Sequence, residues 1–153
     1  MDIVDIVIRL CAATVVGGAL GLNRDLHGKS TGIRTLSLVA LGAALAVMAV
    51  TRAGDINAVS RVVQGVLTGI GFLGAGVIVR TASGEHVHGL TTAACTWLTA
   101  CVGVVCGVAE WQVIVVGVPL VFVVLAFGGR IEKAIHRWWH GRSDDTQPTN
   151  HPM

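Results

Sequence analysis

The polar residues of this sequence that could do chemistry lie within or beside long apolar stretches. Asp5 and Arg9 are four residues apart near the start of the chain, so on a helix their side chains share one face and can form an ion pair. Ionised groups at membrane depth are costly and are functional candidates by default. This pair lies close enough to one end of its stretch to serve equally well as an anchor at the membrane surface, so both roles stay open.

Residues that bind metals or act as nucleophiles are sparse. The segment from Glu85 to His88 holds two imidazoles but lacks the third and fourth ligands of a zinc site, which favours a solvated loop. The four cysteines lie in apolar stretches at spacings that match no zinc or haem motif, so we interpret them as packing residues. No serine or cysteine has a plausible catalytic base beside it in the sequence. The sequence therefore predicts no catalysis, no cofactor and no metal ion.

A glycine-rich run from Gly69 to Gly76 contains a formal GxGxxG pattern. Dinucleotide binding requires that pattern at a turn from a strand to a helix, with an acidic residue about 20 positions later. Here the pattern lies inside an apolar stretch, so the dinucleotide interpretation fails. We expect instead close contact between this helix and a neighbour, with a locally broken helix beside a polar site as the alternative.

Five apolar stretches must position these residues. Of the 153 residues, 53% are hydrophobic and only 13% are charged, half the share of about 25% that is usual in soluble domains. A net charge of +2 is too small to indicate a basic surface that binds a nucleic acid. The stretches do not alternate as barrel strands do, so each is predicted to be a transmembrane helix. The predicted spans are 3–22, 35–50, 62–79, 90–108 and 112–127.

The predicted fold class is an all-α membrane protein, with five transmembrane helices in a glycine-rich, tightly packed bundle. Pairs of glycines four residues apart let helix backbones approach closely, and packing within the chain is favoured over self-association. Most of the eleven Lys and Arg residues lie after the first and third spans and in the tail, which places the N-terminus outside and the C-terminus in the cytoplasm. The glycine pairs are Gly17/Gly21, Gly65/Gly69 and Gly103/Gly107.

The transmembrane domain is predicted to occupy residues 1–129. In residues 130–142, Ile131, Ile135 and two tryptophans share a helical face beside basic residues, which predicts a short amphipathic helix on the cytoplasmic membrane surface. Ordinary basic flanking sequence is the alternative. Residues 143–153 are polar and are predicted to form a disordered tail.

Several motifs together resemble the MgtC/SapB family of bacterial inner-membrane proteins. Asn23-Arg-Asp follows the glycine pair that ends the first helix, and Gly32-Ile-Arg-Thr35 opens the second. The resemblance continues, in family order and over about residues 5–125, in three further motifs. These are Arg61-Val-Val-Gln64, Gly69-Ile-Gly-Phe-Leu-Gly-Ala-Gly76, and Gly89-Leu-Thr-Thr-Ala-Ala94 with Trp97.

The chain departs from the family pattern in three respects. Family members often have Glu where this chain has Asn23, and frequently have Asn where it has Thr91. Larger relatives also carry a soluble C-terminal domain that resembles an ACT module, so the resemblance implies a short form that lacks this domain. Functions that need that domain are not transferred.

The resemblance implies a multi-pass protein of the bacterial inner (plasma) membrane that is linked to magnesium limitation or acid stress and, in pathogens, to survival inside host cells. Two functions compete: a regulator or interaction subunit, and a transporter or channel component for Mg²⁺ or another cation. Protein sites for Mg²⁺ generally use one or two carboxylates with retained waters, whereas the predicted spans offer only Asp5. We therefore favour the non-enzymatic regulator.

The expected partners are the lipid bilayer and a membrane protein of unknown identity, with self-association through the glycine-rich faces as a further option. No nucleic-acid partner is expected. The candidate residues of the cytoplasmic loop are Asn23, Arg24, Gly32, Arg34 and Thr35. Those in the membrane or at its surface are Asp5, Arg9, Arg61, Gln64, Gly69, Gly71, Gly74, Gly76, Gly89, Thr91, Thr92 and Trp97.

Overall fold

The computed structural model of the chain describes residues 2–51, 54–80 and 87–140. All five helices are long and apolar enough to cross a membrane, which confirms the predicted five-helix fold. A short antiparallel ladder between β1 (Val79–Arg80) and β2 (Val87–His88) connects the third helix to the fourth. The helices are α1 (Ile3–Leu26), α2 (Ile33–Thr51), α3 (Ile56–Val77), α4 (Leu90–Val108) and α5 (Trp111–His140).

Four helices, α1, α2, α3 and α5, extend beyond the apolar stretches that predict them. α1 continues one turn further, through Arg24 to Leu26, and α2 begins at Ile33. α3 begins at Ile56, where the Asp55 carboxylate caps it by accepting a hydrogen bond from the Asn57 amide at 2.9 Å. Hydropathy falls at the first polar side chain, but the helix continues because its backbone hydrogen bonds are local. The third span is also shorter than predicted at its other end, since Val79 lies in β1.

The second and fourth helices form the centre of the packing, because each contacts α1 and α3 as well as the other. The inward residues of α4 are mostly small, and they meet small residues of α2 and bulkier side chains of α3. Helices in lipid associate through such close packing because burial of apolar area adds little there. One buried cluster consists of Ala43, Val47, Ile70, Ala100 and Val104, and a second of Ala13, Ala40, Ala44 and Cys106.

The glycine pairs of α1 and α4 make the close helix contacts that their spacing predicts. A Cβ added to Gly17 would lie 2.7 Å from the Leu36 carbonyl oxygen, and one added to Gly21 would lie 2.5 Å from the Ile33 Cα. On α4, Gly103 and Gly107 lie against the backbone of α2 in the same way. Real Cβ atoms do not approach other atoms this closely, so these backbones touch only because the side chains are absent.

The expectation of close contact along the glycines of α3 is wrong. A Cβ added to Gly65, Gly69, Gly71 or Gly76 would meet nothing within 4 Å, whereas Gly74 lies opposite the Ala93 Cβ at 3.6 Å. α3 instead turns a face of Val and Ile residues toward the buried cluster. Larger side chains fill the space beside α2 and α4, so the glycine face points away from the bundle.

The chain divides into two compact units, residues 1–118 and 119–153. α5 passes through this division without a break, although Pro119 lacks the amide that would bond the preceding turn. The backbone of residues 130–140, predicted as a separate interfacial helix, continues α5. The position of this segment on the membrane surface stays a prediction. Residues 141–142 and the predicted disordered tail at 143–153 lie outside the described residues.

Candidate functional site

The arginine of the first loop motif is buried. Arg24 lies in the last turn of α1 with 4% of its surface exposed, and its guanidinium donates a hydrogen bond to the Thr92 hydroxyl in the first turn of α4. Its Nε has no hydrogen-bond partner within residues 2–51, 54–80 and 87–140. No carboxylate in the described part of the chain pairs with it. Burying an ion costs several kcal/mol unless it is compensated, so this position is the strongest candidate for a functional site.

The neighbouring carboxylate of Asp25 is used elsewhere. It accepts a hydrogen bond at 3.0 Å from the Ile33 amide, which caps the N-terminus of α2. Consecutive residues of a helix point about 100° apart, so Asp25 faces α2 while Arg24 faces α4. Gly32 packs directly against the carboxylate and leaves no room there for a side chain. The cap therefore holds the first loop, and Arg24 keeps its charge unpaired.

Two glycines set the approach of the helix ends at this site. Gly21 brings α1 against the start of α2, as described above. Gly89 precedes α4 with φ +95°, a conformation that L side chains rarely adopt, and a Cβ there would overlap the Val77 carbonyl. Gly89 therefore brings the end of α3 onto the start of α4. Thr92, on the first turn of α4, consequently lies where it can meet Arg24.

Four residues predicted from separate motifs thus meet in one place together with Asp25. We call this the Arg24 cluster, which consists of Arg24, Asp25, Gly32, Gly89 and Thr92. Asp25 was not among the predicted site residues, although its position just before the α2 motif is typical of a capping residue. Thr31 was not predicted either; it is buried, and its hydroxyl has no hydrogen-bond partner among the described residues. Asn23 is half-buried at the edge of this cluster.

Other predicted residues of this end of the bundle point outward. Arg34 and Thr35 are exposed on the first turn of α2, and Thr91 is exposed beside the buried Thr92. Trp97 also lies on an exposed face of α4. The deeper threonines of α4 are buried but bond their own helix, since Thr99 donates to the Cys95 carbonyl at 2.8 Å. These residues therefore do not extend the Arg24 cluster.

The ion pair predicted on α1 lies at the opposite end of α4. Arg9 contacts Asp5 at 2.8 Å and also donates to the Gly107 carbonyl at 2.9 Å. A cation beside the last carbonyls of a helix is favoured by the helix dipole. The pair therefore ties α1 to the C-terminal turn of α4, and both predicted roles of this pair stay predictions.

The remaining predicted residues of α3 form no common site with the Arg24 cluster. Arg61 approaches Asp55 at 3.8 Å, but both side chains are exposed, and such pairs contribute little. Gln64 is also exposed. The glycines of the run 69–76 lie on the open face of α3, with the exception of Gly74.

The buried part of the Arg24 cluster is positive. There the guanidinium of Arg24 lies beside the first turn of α4, whose amides carry partial positive charge, whereas the exposed carboxylate of Asp25 is engaged at the N-terminus of α2. Within residues 2–51, 54–80 and 87–140, no group of three or more His, Cys, Asp or Glu side chains is arranged to hold a metal ion. The arrangement suits recognition of an anion or of a polar surface rather than binding of a divalent cation.

Comparison with known proteins places these motifs in a family. The model of the MgtC family matches residues 10–134. Protein SrpB of Synechococcus elongatus is 45% identical over 137 residues, which cover 82% of this chain and 75% of SrpB. No solved structure matches the chain.

Two further relatives are longer than this chain. "Putative magnesium transporter YhiD" of Escherichia coli K12 is 36% identical over 131 residues, 79% of this chain and 59% of YhiD. Protein MgtC of Salmonella typhimurium LT2 is 39% identical over 107 residues, 69% of this chain and 45% of MgtC. The chain thus matches only about half the length of these two proteins.

Proposed function

Because the chain belongs to the MgtC family and has five membrane-spanning helices, we propose that it is a non-enzymatic regulator or interaction subunit of the bacterial inner membrane. We assign it to adaptation to magnesium limitation or acid stress and, in a pathogen, to survival inside host cells. It acts by contacting another membrane protein. The link to magnesium is supported by the family and by the name of YhiD.

The observation that carries this proposal is the unpartnered small face of α3. Gly65, Gly69 and Gly76 lie on this face with open space around them, and Phe72 projects from it with 83% of its surface exposed. Each glycine costs about 1 kcal/mol of helix propensity relative to Ala in a water-soluble helix. Lipid tails do not require small residues, whereas a second helix that packs closely does. The face therefore supports docking of a partner helix around Phe72.

A magnesium transporter is the competing function, because YhiD carries that name. The charges of the bundle favour the regulator. The carboxylate of Asp5 is occupied by Arg9, and the buried charge of Arg24 at the other end of α4 repels a divalent cation. A pathway for Mg²⁺ needs oxygen ligands that stay free to coordinate the ion and its waters.

Growth under magnesium limitation tests the regulator. In a bacterial strain without its own homologue, the wild-type chain is expected to restore growth and Gly69→Leu is expected to abolish it, with unchanged membrane abundance. Gly117→Leu is the matched control, since Gly117 is a glycine of α5 that likewise has nothing within 4 Å. Full restoration by Gly69→Leu would show that the α3 face is not used.

Ion flux separates the two functions. The purified chain in liposomes is expected to give no Mg²⁺ entry above that of protein-free liposomes, as followed by an enclosed fluorescent indicator. Entry that depends on the protein and is abolished by Asp5→Asn would establish a transporter and overturn the proposal.

A further inference from the structure

A groove of about 620 Å³ lies between α2 and α3, within the size range of ligand pockets. Its floor is the buried cluster itself, formed by Ala43, Ile70 and Ala100. Leu38 on α2 and Leu73 on α3 line its sides and are exposed. We call this feature the α2–α3 groove.

The polar groups of the α2–α3 groove are confined to one end. Arg34 and Thr35, on the first turn of α2, are exposed there, and the other lining residues are apolar. In the described part of the chain no carboxylate pairs with Arg34. The nearby carboxylate of Asp25 is held by the Ile33 amide. Arg34 therefore offers an unpaired guanidinium, whose fork of N–H groups matches a phosphate.

The length of the groove matches one leaflet of a membrane. From Arg34 to Ala43 the helix rises about 13 Å, at 1.5 Å per residue. The hydrocarbon core of a bilayer is about 30 Å thick, so this is close to the depth of one leaflet. Gly42 widens the groove near its inner end, because no atom of the described residues lies within 4 Å of the position of its missing Cβ. A water-soluble anion would use only the polar end, whereas an acyl chain fills the whole length.

We propose that the α2–α3 groove is a binding site for an anionic phospholipid. The phosphate lies at Arg34 and Thr35, and one acyl chain runs past Leu38 and Gly42 toward the middle of the bilayer. Basic pockets between transmembrane helices recognise anionic headgroups in this way. This site is distinct from the glycine face of α3 and does not depend on the proposed function.

Native mass spectrometry of the purified, delipidated chain tests the site. Phosphatidylglycerol and phosphatidylcholine with identical acyl chains are added together in equal amounts. The wild type is expected to retain phosphatidylglycerol about fivefold over phosphatidylcholine, the ratio given by one arginine near a headgroup. Arg34→Gln is expected to reduce this ratio to about one. Lys29→Ala, which removes an exposed cation of the same loop from outside the groove, is expected to leave the ratio unchanged.

Two further measurements test whether the bound molecule is a lipid. Gly42→Leu is expected to reduce retention of both lipids, while Gly117→Leu leaves it unchanged, and circular dichroism confirms that each variant is folded. Inorganic phosphate at millimolar concentration is not expected to displace the bound lipid.

Each of four results would overturn the proposal. They are an unchanged ratio in Arg34→Gln, unchanged retention in Gly42→Leu, displacement of the lipid by phosphate alone, and a lipid-free dimer of the wild type in the mass spectrum in place of the lipid-bound chain.

Discussion

Replacing Thr92 by Val removes the hydrogen bond described for the buried guanidinium of Arg24, at almost unchanged side-chain volume. A hydrogen bond to a charged group contributes about 1.5–3 kcal/mol. Both partners are buried, so water cannot replace the lost hydroxyl. The free energy of unfolding is therefore expected to fall by about 1.5–3 kcal/mol, a factor of about 10 to 150 in the folding equilibrium.

Unfolding in mixed micelles with increasing fractions of sodium dodecyl sulfate, followed by circular dichroism, measures this change. Thr99→Val is the matched control, because Thr99 is equally buried but bonds a carbonyl of its own helix. Thr99→Val is expected to lower the free energy of unfolding by less than about 1 kcal/mol. In an Arg24→Met background, Thr92→Val is expected to cost no more than this control, because no charge remains to be solvated. Equal costs of Thr92→Val in both backgrounds would refute the reasoning.

Three further predictions follow from the packing and the charges. In the same micelle assay, Gly17→Ala is expected to destabilise the chain by about 1–3 kcal/mol, because the added methyl group overpacks against α2. Gly69→Ala is expected to stabilise the chain by up to about 1 kcal/mol through its higher helix propensity. The reverse order of stabilities would contradict the packing described. Arg9→Gln is expected to lower the free energy of unfolding by about 1–2 kcal/mol and Arg61→Gln by less than about 0.5 kcal/mol, since only Arg9 also bonds α4. Equal effects would contradict a role of Arg9 in tying α1 to α4. A tag at the C-terminus is expected to resist protease in intact spheroplasts and to be cleaved in inverted vesicles. Cleavage in intact spheroplasts would refute the orientation that the basic residues predict.

Much of the fold could be predicted because the membrane restricts the choices. A backbone in lipid must satisfy its hydrogen bonds within the segment, so each long apolar stretch is a helix whatever its neighbours are. The fourth span, Leu90–Val108, coincides with its prediction. The ends of α1, α2, α3 and α5 were predicted less well, because polar residues such as Arg24 continue a helix without changing its backbone bonds.

Most residues of the candidate site could be predicted from the sequence, but their burial and their contacts could not. Arg24, Gly32, Gly89 and Thr92 were identified by motifs, but nothing in their spacing indicates that Arg24 is buried or that Thr92 is its partner. That contact joins residues 68 positions apart. It depends on the approach of α1 to α4, which the motifs do not specify, because Gly21 lies against the start of α2 and Gly89 against the end of α3.

The sequence by itself determined that the chain is a membrane protein with five helices and close-packing glycines, because composition and local hydrogen bonding decide these properties along the chain. Only the tertiary structure decided which glycines are used. The glycine pairs of α1, α3 and α4 have the same spacing, yet those of α1 and α4 lie against α2, and Gly65 and Gly69 of α3 face away from the bundle. The physical reason is that a helix carries several faces, and the face that turns inward is the one whose side chains best fill the space left by the other helices.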